Sequence, residues 1–89
     1  MKYRVFWTPE AEREFDEILE ASTDFRVVGS AAKELDRRLV RNPFKVGESR
    51  EGETRVGFVR PLGVQFQVMN DVATVIVLGV WRTDRRRRN

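Results

Sequence analysis

The C-terminal third of the chain constrains its fold most, because it contains three short strand patterns in succession. These patterns cover Arg55–Val59, Val64–Met69 and Thr74–Trp81. The second alternates apolar with polar side chains, which is typical of a strand with one buried face. The third is almost entirely apolar, so we expect a central strand that is covered on both faces. Strands joined by such short connections predict an antiparallel meander.

Turn signals separate these strands. Arg60-Pro61-Leu62-Gly63 fits a type I turn, with Pro at its second position and Gly at its fourth. Asn70-Asp71 reverses the chain before the last strand. In the first strand of the meander, Val56 and Phe58 lie on one side. We therefore expect these two side chains on the buried side and Arg55 pointing outward.

The N-terminal half predicts one strand and two helices. The strand covers Tyr3–Trp7, and Thr8-Pro9 is a helix start, with a hydroxyl cap and Pro at the first helical position. The segment Ser22–Asp24 ends this first helix, and a second helix covers about Phe25–Val40. Apolar positions recur at helical spacing in both helices. They are Ala11, Phe15, Ile18, Leu19 and Ser22 in the first, and Val28, Ala31 or Ala32, Leu35 and Leu39 in the second.

The element order β-α-α-β-β-β predicts an α+β fold of two layers. The helical pair packs on one face of a four-stranded, mainly antiparallel sheet, and the segment 44–52 is a polar loop. We expect the first strand to lie beside the last strand and parallel to it. With 89 residues the chain makes one domain, which we place at residues 1–84, followed by a basic tail at residues 85–89.

The composition excludes several kinds of chemistry. The chain has no Cys and no His, so it lacks disulfides, thiolate metal sites and the commonest acid/base at neutral pH. We expect no metal and no cofactor. No apolar run approaches ~18 residues, and the N-terminus has no apolar signal-peptide core, so we expect a cytoplasmic protein without a membrane span.

Charge is unevenly distributed along the chain. Residues 10–24 contain seven acidic residues and one basic residue, whereas residues 50–89 contain eight arginines and four acidic residues. The sequence therefore predicts an acidic pole and a basic pole. Fourteen of the seventeen basic residues are Arg, which suits bidentate contact with phosphate or carboxylate but also fits the codon bias of a GC-rich genome.

Four stretches carry a family resemblance: YRVFWTPEAEREFDEIL, the helical stretch ending in LVRNPFKVG, RVGFVRPLGVQFQV and VIVLGVWR. Together they cover nearly the whole chain, and their order resembles the RelE/ParE superfamily of type II toxins. The resemblance implies a role in a toxin–antitoxin system and in plasmid stabilisation, with an antitoxin wrapped across the toxin. RelE-like members cleave messenger RNA in the ribosome, whereas ParE-like members bind DNA gyrase and are not hydrolases.

The residues that RelE-like cleavage would need are mostly missing. Such cleavage requires a base for the 2′-hydroxyl, positive charge for the phosphorane and an acid for the leaving oxygen. A strand position that carries Arg in RelE-like enzymes falls at Gly63, and the one tyrosine, Tyr3, lies in the first strand. Glu51, Glu53 and Asp84 are candidate bases or ordinary loop carboxylates. No residue is assigned as catalytic.

The remaining candidates suit binding. Arg55, Arg60 and Arg82 are candidate target- or phosphate-binding residues, although solvated surface positions would also explain them. Trp81 is a candidate for stacking on a base or an antitoxin side chain, or for packing at the rim of the core. The run Arg85, Arg86, Arg87 and Arg88 is a candidate for nonspecific polyanion binding.

The sequence therefore favours a ParE-like toxin that binds a macromolecular target, for which gyrase is one candidate, and that is not an enzyme. The first alternative is a ribosome-dependent endoribonuclease, which would act on messenger RNA. The second is a non-toxic interaction or nucleic-acid-binding domain with the same fold. Because the arginines lie in the meander and the tail, we expect the antitoxin to present an acidic segment.

Overall fold

The protein is seen in a computed structural model that describes residues 2–49 and 52–84. Its helices are α1 (Pro9–Ala21) and α2 (Phe25–Arg41). Its strands are β1 (Arg4–Trp7), β2 (Gly47–Ser49), β3 (Thr54–Val59), β4 (Leu62–Met69) and β5 (Thr74–Arg82). Short 3₁₀ turns occupy Pro43–Lys45 and Asn70–Val72.

The strands form one sheet in the order β1-β5-β4-β3-β2. The predicted α+β arrangement is confirmed, with two helices packed on a mainly antiparallel sheet. The parallel pairing of β1 with β5 is confirmed as well, and it places Val5 beside Val75 and Trp7 beside Val77. The helical pair leads from β1 at one edge of the sheet to β2 at the other, and the chain returns through the meander to β5.

The sheet has five strands, not the predicted four. The additional strand, β2, lies in the segment that we expected to be a polar loop, and it pairs with β3. Gly47 lies directly opposite Gly57. A Cβ atom on Gly47 would approach the backbone oxygen of Val56 to 2.1 Å, so this pairing requires glycine. A three-residue strand of Gly, Glu and Ser has no apolar side chain, so it leaves no periodicity to be read from the sequence.

Both helices begin and end close to the predicted residues. The Thr8 hydroxyl accepts a hydrogen bond from the backbone N–H of Ala11 at 3.0 Å, which confirms the predicted cap of α1. The apolar faces of α1 and α2 then pack on the sheet, and the indole N–H of Trp7 donates to Asp36 at 3.0 Å. The buried core contains Ala11, Val28, Ala31, Leu35, Leu39, Val59, Leu62, Val64, Phe66, Val68, Val75, Val77 and Val80.

Two predictions about the meander are wrong. The β3–β4 connection is a two-residue turn with Val59 opposite Leu62, so Gly63 lies inside β4 instead of ending a type I turn. The Arg60–Pro61 peptide is cis. In addition, β5 is an interior strand, but the helices cover only one of its faces, and Trp81 on the other is 39% exposed. The run of β-branched residues in β5 reflects strand pairing on both edges more than burial of both faces.

Within the described residues, neither helix is long and apolar enough to cross a membrane. The same part of the chain contains no cluster of three acidic side chains arranged to hold a metal ion.

Candidate functional site

A concave surface lies between α1 and the C-terminal half of β5. It is a groove of about 770 Å³, and we call it the α1–β5 groove. Apolar residues from both elements form its floor, namely Ile18, Ala21 and Val80, and Trp81 borders it although its indole lies on the opposite face of the sheet. Carboxylates from α1, from the α1–α2 connection and from the residues after β5 form its rim, namely Glu14, Glu17, Asp24 and Asp84. One basic side chain, Arg82, also lines it.

Arg82 is held between two carboxylates. Its two terminal nitrogens donate to the two oxygens of Asp24 at 2.8 and 2.9 Å, a bidentate pair. Its Nε and one terminal nitrogen donate to Asp84 at 2.7 and 3.0 Å. A further hydrogen bond of 2.9 Å reaches the hydroxyl of Ser22. We call these four residues the Arg82 cluster.

Within the Arg82 cluster, the pKa values of the acidic and the basic members shift in opposite directions. The hydrogen bonds from Arg82 lower the pKa of Asp24 and that of Asp84 below the ordinary carboxyl value. The hydrogen bonds to Asp24, and then those to Asp84, raise the pKa of Arg82 above its ordinary value. The guanidinium is therefore charged at every accessible pH, but two ionised carboxylates already satisfy it. Such a group offers little attraction to a phosphate.

The local structure explains why Asp24 is available to Arg82. Asp24 occupies the N-cap position of α2, where a carboxylate commonly bonds to the first backbone N–H groups. Here it makes no such side-chain cap, since both of its oxygens face Arg82. The segment Ser22–Asp24 therefore ends α1 and also supplies two of the four members of the Arg82 cluster.

Arg55 lies in a different pocket and points to the opposite side from the one predicted. It is paired with the fully buried Phe66, so its side chain extends on the face that carries the helices, whereas Phe58 is 51% exposed on the other face. The predicted orientation of this strand is therefore reversed. One terminal nitrogen of Arg55 donates to the backbone oxygens of Phe44 and Gly47 at 3.0 and 2.6 Å.

The contacts of Arg55 are structural in kind. Its guanidinium lies 5.3 Å from the ring centre of Phe44, a cation–π contact, and it ties β3 to the turn that precedes β2. A smaller pocket of about 530 Å³ lies beside it. Arg55 and Arg82 oppose residues of β4 that are four positions apart, or roughly 13 Å along the strand. The two arginines therefore do not converge on one phosphate.

Arg60 is the exposed member of the three arginine candidates. It lies in the two-residue turn between β3 and β4, next to the point at which β5 ends. The backbone N–H of Thr83 donates to the oxygen of Pro61 at 2.8 Å, which fixes the end of β5 against this turn. Arg85, Arg86, Arg87 and Arg88 lie outside the described residues.

Trp81 lies over Gly63 on the face of the sheet that the helices leave open. The two residues are direct partners between β5 and β4, and a Cβ atom on Gly63 would approach the indole ring to 2.4 Å. Phe58 opposes Gly63 from the other side, and its ring lies edge-to-face with that of Trp81, with centroids 6.4 Å apart. The absence of a side chain at Gly63 therefore creates an exposed aromatic pair.

The candidate acids and bases are either engaged or remote. Glu53 accepts a hydrogen bond from Gln67 at 2.9 Å, and Asp84 belongs to the Arg82 cluster. The hydroxyl of Tyr3 donates to Asn70 at 2.6 Å. Asn70 follows the end of β4, whereas Arg60 precedes its start. Glu51 lies outside the described residues. None of the described candidates makes a hydrogen bond with Arg55 or Arg60, so the arrangement is suited to binding.

Sequence reasoning missed the roles of Ser22, Asp24 and Glu14. The carboxylate of Glu14 accepts the backbone N–H of Val80 at 3.0 Å, where β4 and β5 shift register. The sequence contains no signal for these contacts, because Glu14 and Asp24 are 66 and 58 residues away from their partners.

Solved structures resemble this fold along nearly its whole length. The RelBE2 toxin–antitoxin complex of Mycobacterium tuberculosis matches with a TM-score of 0.76 at 21% identity, covering 92% of this chain and 99% of that one. The RelBE complex of Escherichia coli matches with a TM-score of 0.65 at 18% identity, over 93% and 99% of the two chains. The chain has the RelE/ParE fold. No known family profile and no curated protein matches its sequence.

The RelE/ParE fold is shared here with proteins of both branches. The chromosomal ParDE system of Pseudomonas aeruginosa matches with a TM-score of 0.66 at 16% identity, over 93% of this chain and 98% of that one. Similarity at this level of identity describes the backbone and leaves the site to be argued from its own side chains. In this chain those side chains belong to the Arg82 cluster, to the lining of the α1–β5 groove and to the exposed pair of Phe58 and Trp81.

Proposed function

We propose that the protein is the toxin-family component of a type II toxin–antitoxin pair, which acts by binding a macromolecular target and is neutralised by an antitoxin. The toxin role is supported by the RelE/ParE fold, which covers 92–93% of the chain in comparisons with three toxin–antitoxin complexes. The partner is supported by the same comparisons, because each of those proteins is described as a complex or system of toxin with antitoxin.

The observation that carries the ParE-like mechanism is the neutralised state of Arg82. Cleavage of RNA requires positive charge directed at the reacting phosphate. The arginine at the end of β5 instead makes its hydrogen bonds with Ser22, Asp24 and Asp84. Arg55 donates to backbone carbonyls. Arg60 makes no ion pair with a described carboxylate. Binding of a target requires none of these groups to react.

The toxin role is tested by inducing the chain alone in a bacterial host and following growth. Growth should stop, and co-expression of the adjacent small open reading frame should restore it. The neighbour should also co-purify with the chain and raise its melting temperature, because a ligand that binds only the folded state stabilises it. Unimpaired growth together with a neighbour that does not co-purify would contradict the proposal.

The binding mechanism is tested by mapping messenger RNA ends by primer extension after induction, and by adding the purified chain to DNA gyrase in a supercoiling assay. We expect no codon-specific cuts and a loss of supercoiling. Arg82→Ala is the informative variant. Cuts that appear with the natural chain and vanish with Arg82→Ala would instead establish the ribosome-dependent endoribonuclease.

A further inference from the structure

The α1–β5 groove combines an apolar floor with an acidic rim. Ile18 and Ala21 from α1 lie opposite Val80 from β5 across it, whereas the indole of Trp81 lies on the other face of the sheet. An apolar concavity of this size accommodates one or two aliphatic side chains of a partner. The floor by itself does not select the partner, so the selection must come from the rim.

The rim has a net negative charge. Four carboxylates and one guanidinium line the groove, which gives a formal charge of −3. The surrounding helix adds to this potential, because α1 contains six acidic residues and one basic residue. The charge of Arg82 is already included in this sum, and its donors are bonded to Asp24, Asp84 and Ser22, so it offers no free donor to an incoming acidic group.

The rim carboxylates differ in their availability. Glu14 accepts a backbone N–H from β5, and Asp24 and Asp84 hold Arg82. Glu17 is exposed and makes no ion pair with any described residue. Glu17 is thus the rim carboxylate on which a positive side chain could bind without displacing an existing contact.

We propose that the α1–β5 groove binds a basic amphipathic segment of the antitoxin, with Leu, Ile or Val on its floor and Lys or Arg against Glu17 and the rim. This inference rests on the proposed toxin role. It differs from the acidic segment that the arginine-rich sequence predicts for the partner, because two of those arginines are neutralised inside the toxin. Matched potentials favour association with a basic segment here and oppose an acidic one. A nucleic acid is disfavoured for the same reason.

The probe is a labelled amphipathic helix of Leu and Lys, about 14 residues or about four turns long. It is compared with a peptide of the same pattern in which Glu replaces each Lys. Fluorescence anisotropy with the full chain measures binding. We expect saturable binding of the Leu/Lys peptide, at least about tenfold tighter than that of the Leu/Glu peptide, and weakening with added salt. Equal affinity for both peptides would overturn the charge argument.

Two matched variants locate the site. Glu17→Lys and Glu12→Lys make the same change of charge at exposed positions of α1, but only Glu17 lines the groove. Glu17→Lys should weaken the Leu/Lys peptide about tenfold or more, and Glu12→Lys by about twofold or less, because exposed charges at a distance are screened. Equal losses would place the peptide elsewhere on α1. Saturable binding of a labelled single-stranded oligonucleotide that persists after truncation at Asp84, and that Glu17→Lys strengthens more than Glu12→Lys does, would assign the groove to nucleic acid and overturn the proposal.

The natural partner distinguishes failure of this inference from failure of the proposed function. The adjacent open reading frame is co-expressed with each variant and its recovery is measured, with Glu17→Gln as a milder version of the same test. Loss of recovery with both Glu17 variants but not with Glu12→Lys supports the groove. Full recovery with a toxic Glu17→Lys chain would overturn the groove and leave the toxin role intact. A chain that is harmless when expressed alone would overturn the toxin role, whatever peptide it binds.

Discussion

At the scale of single residues, Gly63 has a role that its place in the sequence conceals. The sequence suggests a glycine that ends a turn, but the residue lies inside β4 with the ring of Trp81 on its backbone. Glycine weakens a strand because it adds no side-chain packing. The aromatic neighbour restores that packing across the strand pair, so the two residues act as a unit.

Replacement of Gly63 by Val should therefore destabilise the protein in a way that depends on Trp81. The new Cβ would lie 2.4–2.7 Å from three atoms of the indole, so the ring must leave its position. We expect a loss of about 1–3 kcal/mol in the free energy of unfolding, measured by urea denaturation. Tryptophan fluorescence should change in the folded state.

The same substitution in a Trp81→Ala background should cost almost nothing or stabilise, because valine favours a strand once the ring is gone. Gly29→Ala in α2 is the matched control. A Cβ atom there meets nothing within 4 Å, so this change should stabilise by about 0.5–1 kcal/mol. A Gly63→Val cost that is the same with and without the indole would contradict the account.

At the scale of elements, the Arg82 cluster joins the end of β5 to the start of α2. Bidentate contact with Asp24 fixes the α1–α2 connection against the sheet, 58 residues away along the chain. The pairs are partly exposed, with 21% of the Arg82 side chain and 41% of that of Asp24 accessible. Solvent screening therefore limits their contribution to stability.

The stability contributed by this cluster should depend on acid pH. Arg82 lowers the pKa of Asp24 and Asp84 in the folded protein below the ordinary value of 3.8. Their contribution is therefore complete above pH 3.8 and is lost as the pH falls through the lower folded values. Arg82→Gln should lower the melting temperature by a few degrees at pH 7, and the difference should shrink as the pH falls below 3.8.

Arg60→Gln removes an arginine that is exposed in the β3–β4 turn, so it serves as the control for charge. Its melting temperature should follow that of the natural chain at every pH. A difference between Arg82→Gln and the natural chain that stays constant down to pH 2 would show that the loss comes from packing and not from the ion pairs.

At the scale of the whole molecule, the two poles predicted from the sequence meet instead of standing apart. The acidic helix α1 packs directly against β5, and carboxylates of α1 share the groove with Asp84, the last described residue before the four arginines. Arg55 and Arg82 both make hydrogen bonds within the protein. Of the eight arginines in residues 50–89, those left for a polyanion are Arg60 and, by sequence, Arg50 and the four of the tail.

Binding of a single-stranded oligonucleotide should consequently depend on the tail. Truncation after Asp84 removes four arginines and changes the formal net charge from +3 to −1. The slope of log affinity against log salt should decrease in magnitude by up to about 3, since each phosphate contact on a single strand contributes about 0.7. Arg82→Gln should leave the slope unchanged. An unchanged slope after truncation would exclude the tail from the contact.

Local patterns were sufficient for the two helices, for four of the five strands and for the two layers. The Thr8-Pro9 start, the apolar stripes of α1 and α2 and the alternation in β4 each follow from residues within one or two turns of one another. The parallel placement of β1 beside β5 follows from the order of elements. These features depend on contacts that are short in sequence or on general rules of connection.

The tertiary structure decided the contacts of the site. Strand register, which decides which residue lies opposite, determines the pairing of β2 with β3 and the inward direction of Arg55. It also determines the position of Trp81 over Gly63 and the formation of the Arg82 cluster. A change of register by one residue moves every side chain to the other face, and composition does not encode that choice. The sequence determined a small basic chain with a two-layer fold, whereas the register determined which of its arginines remain available for binding.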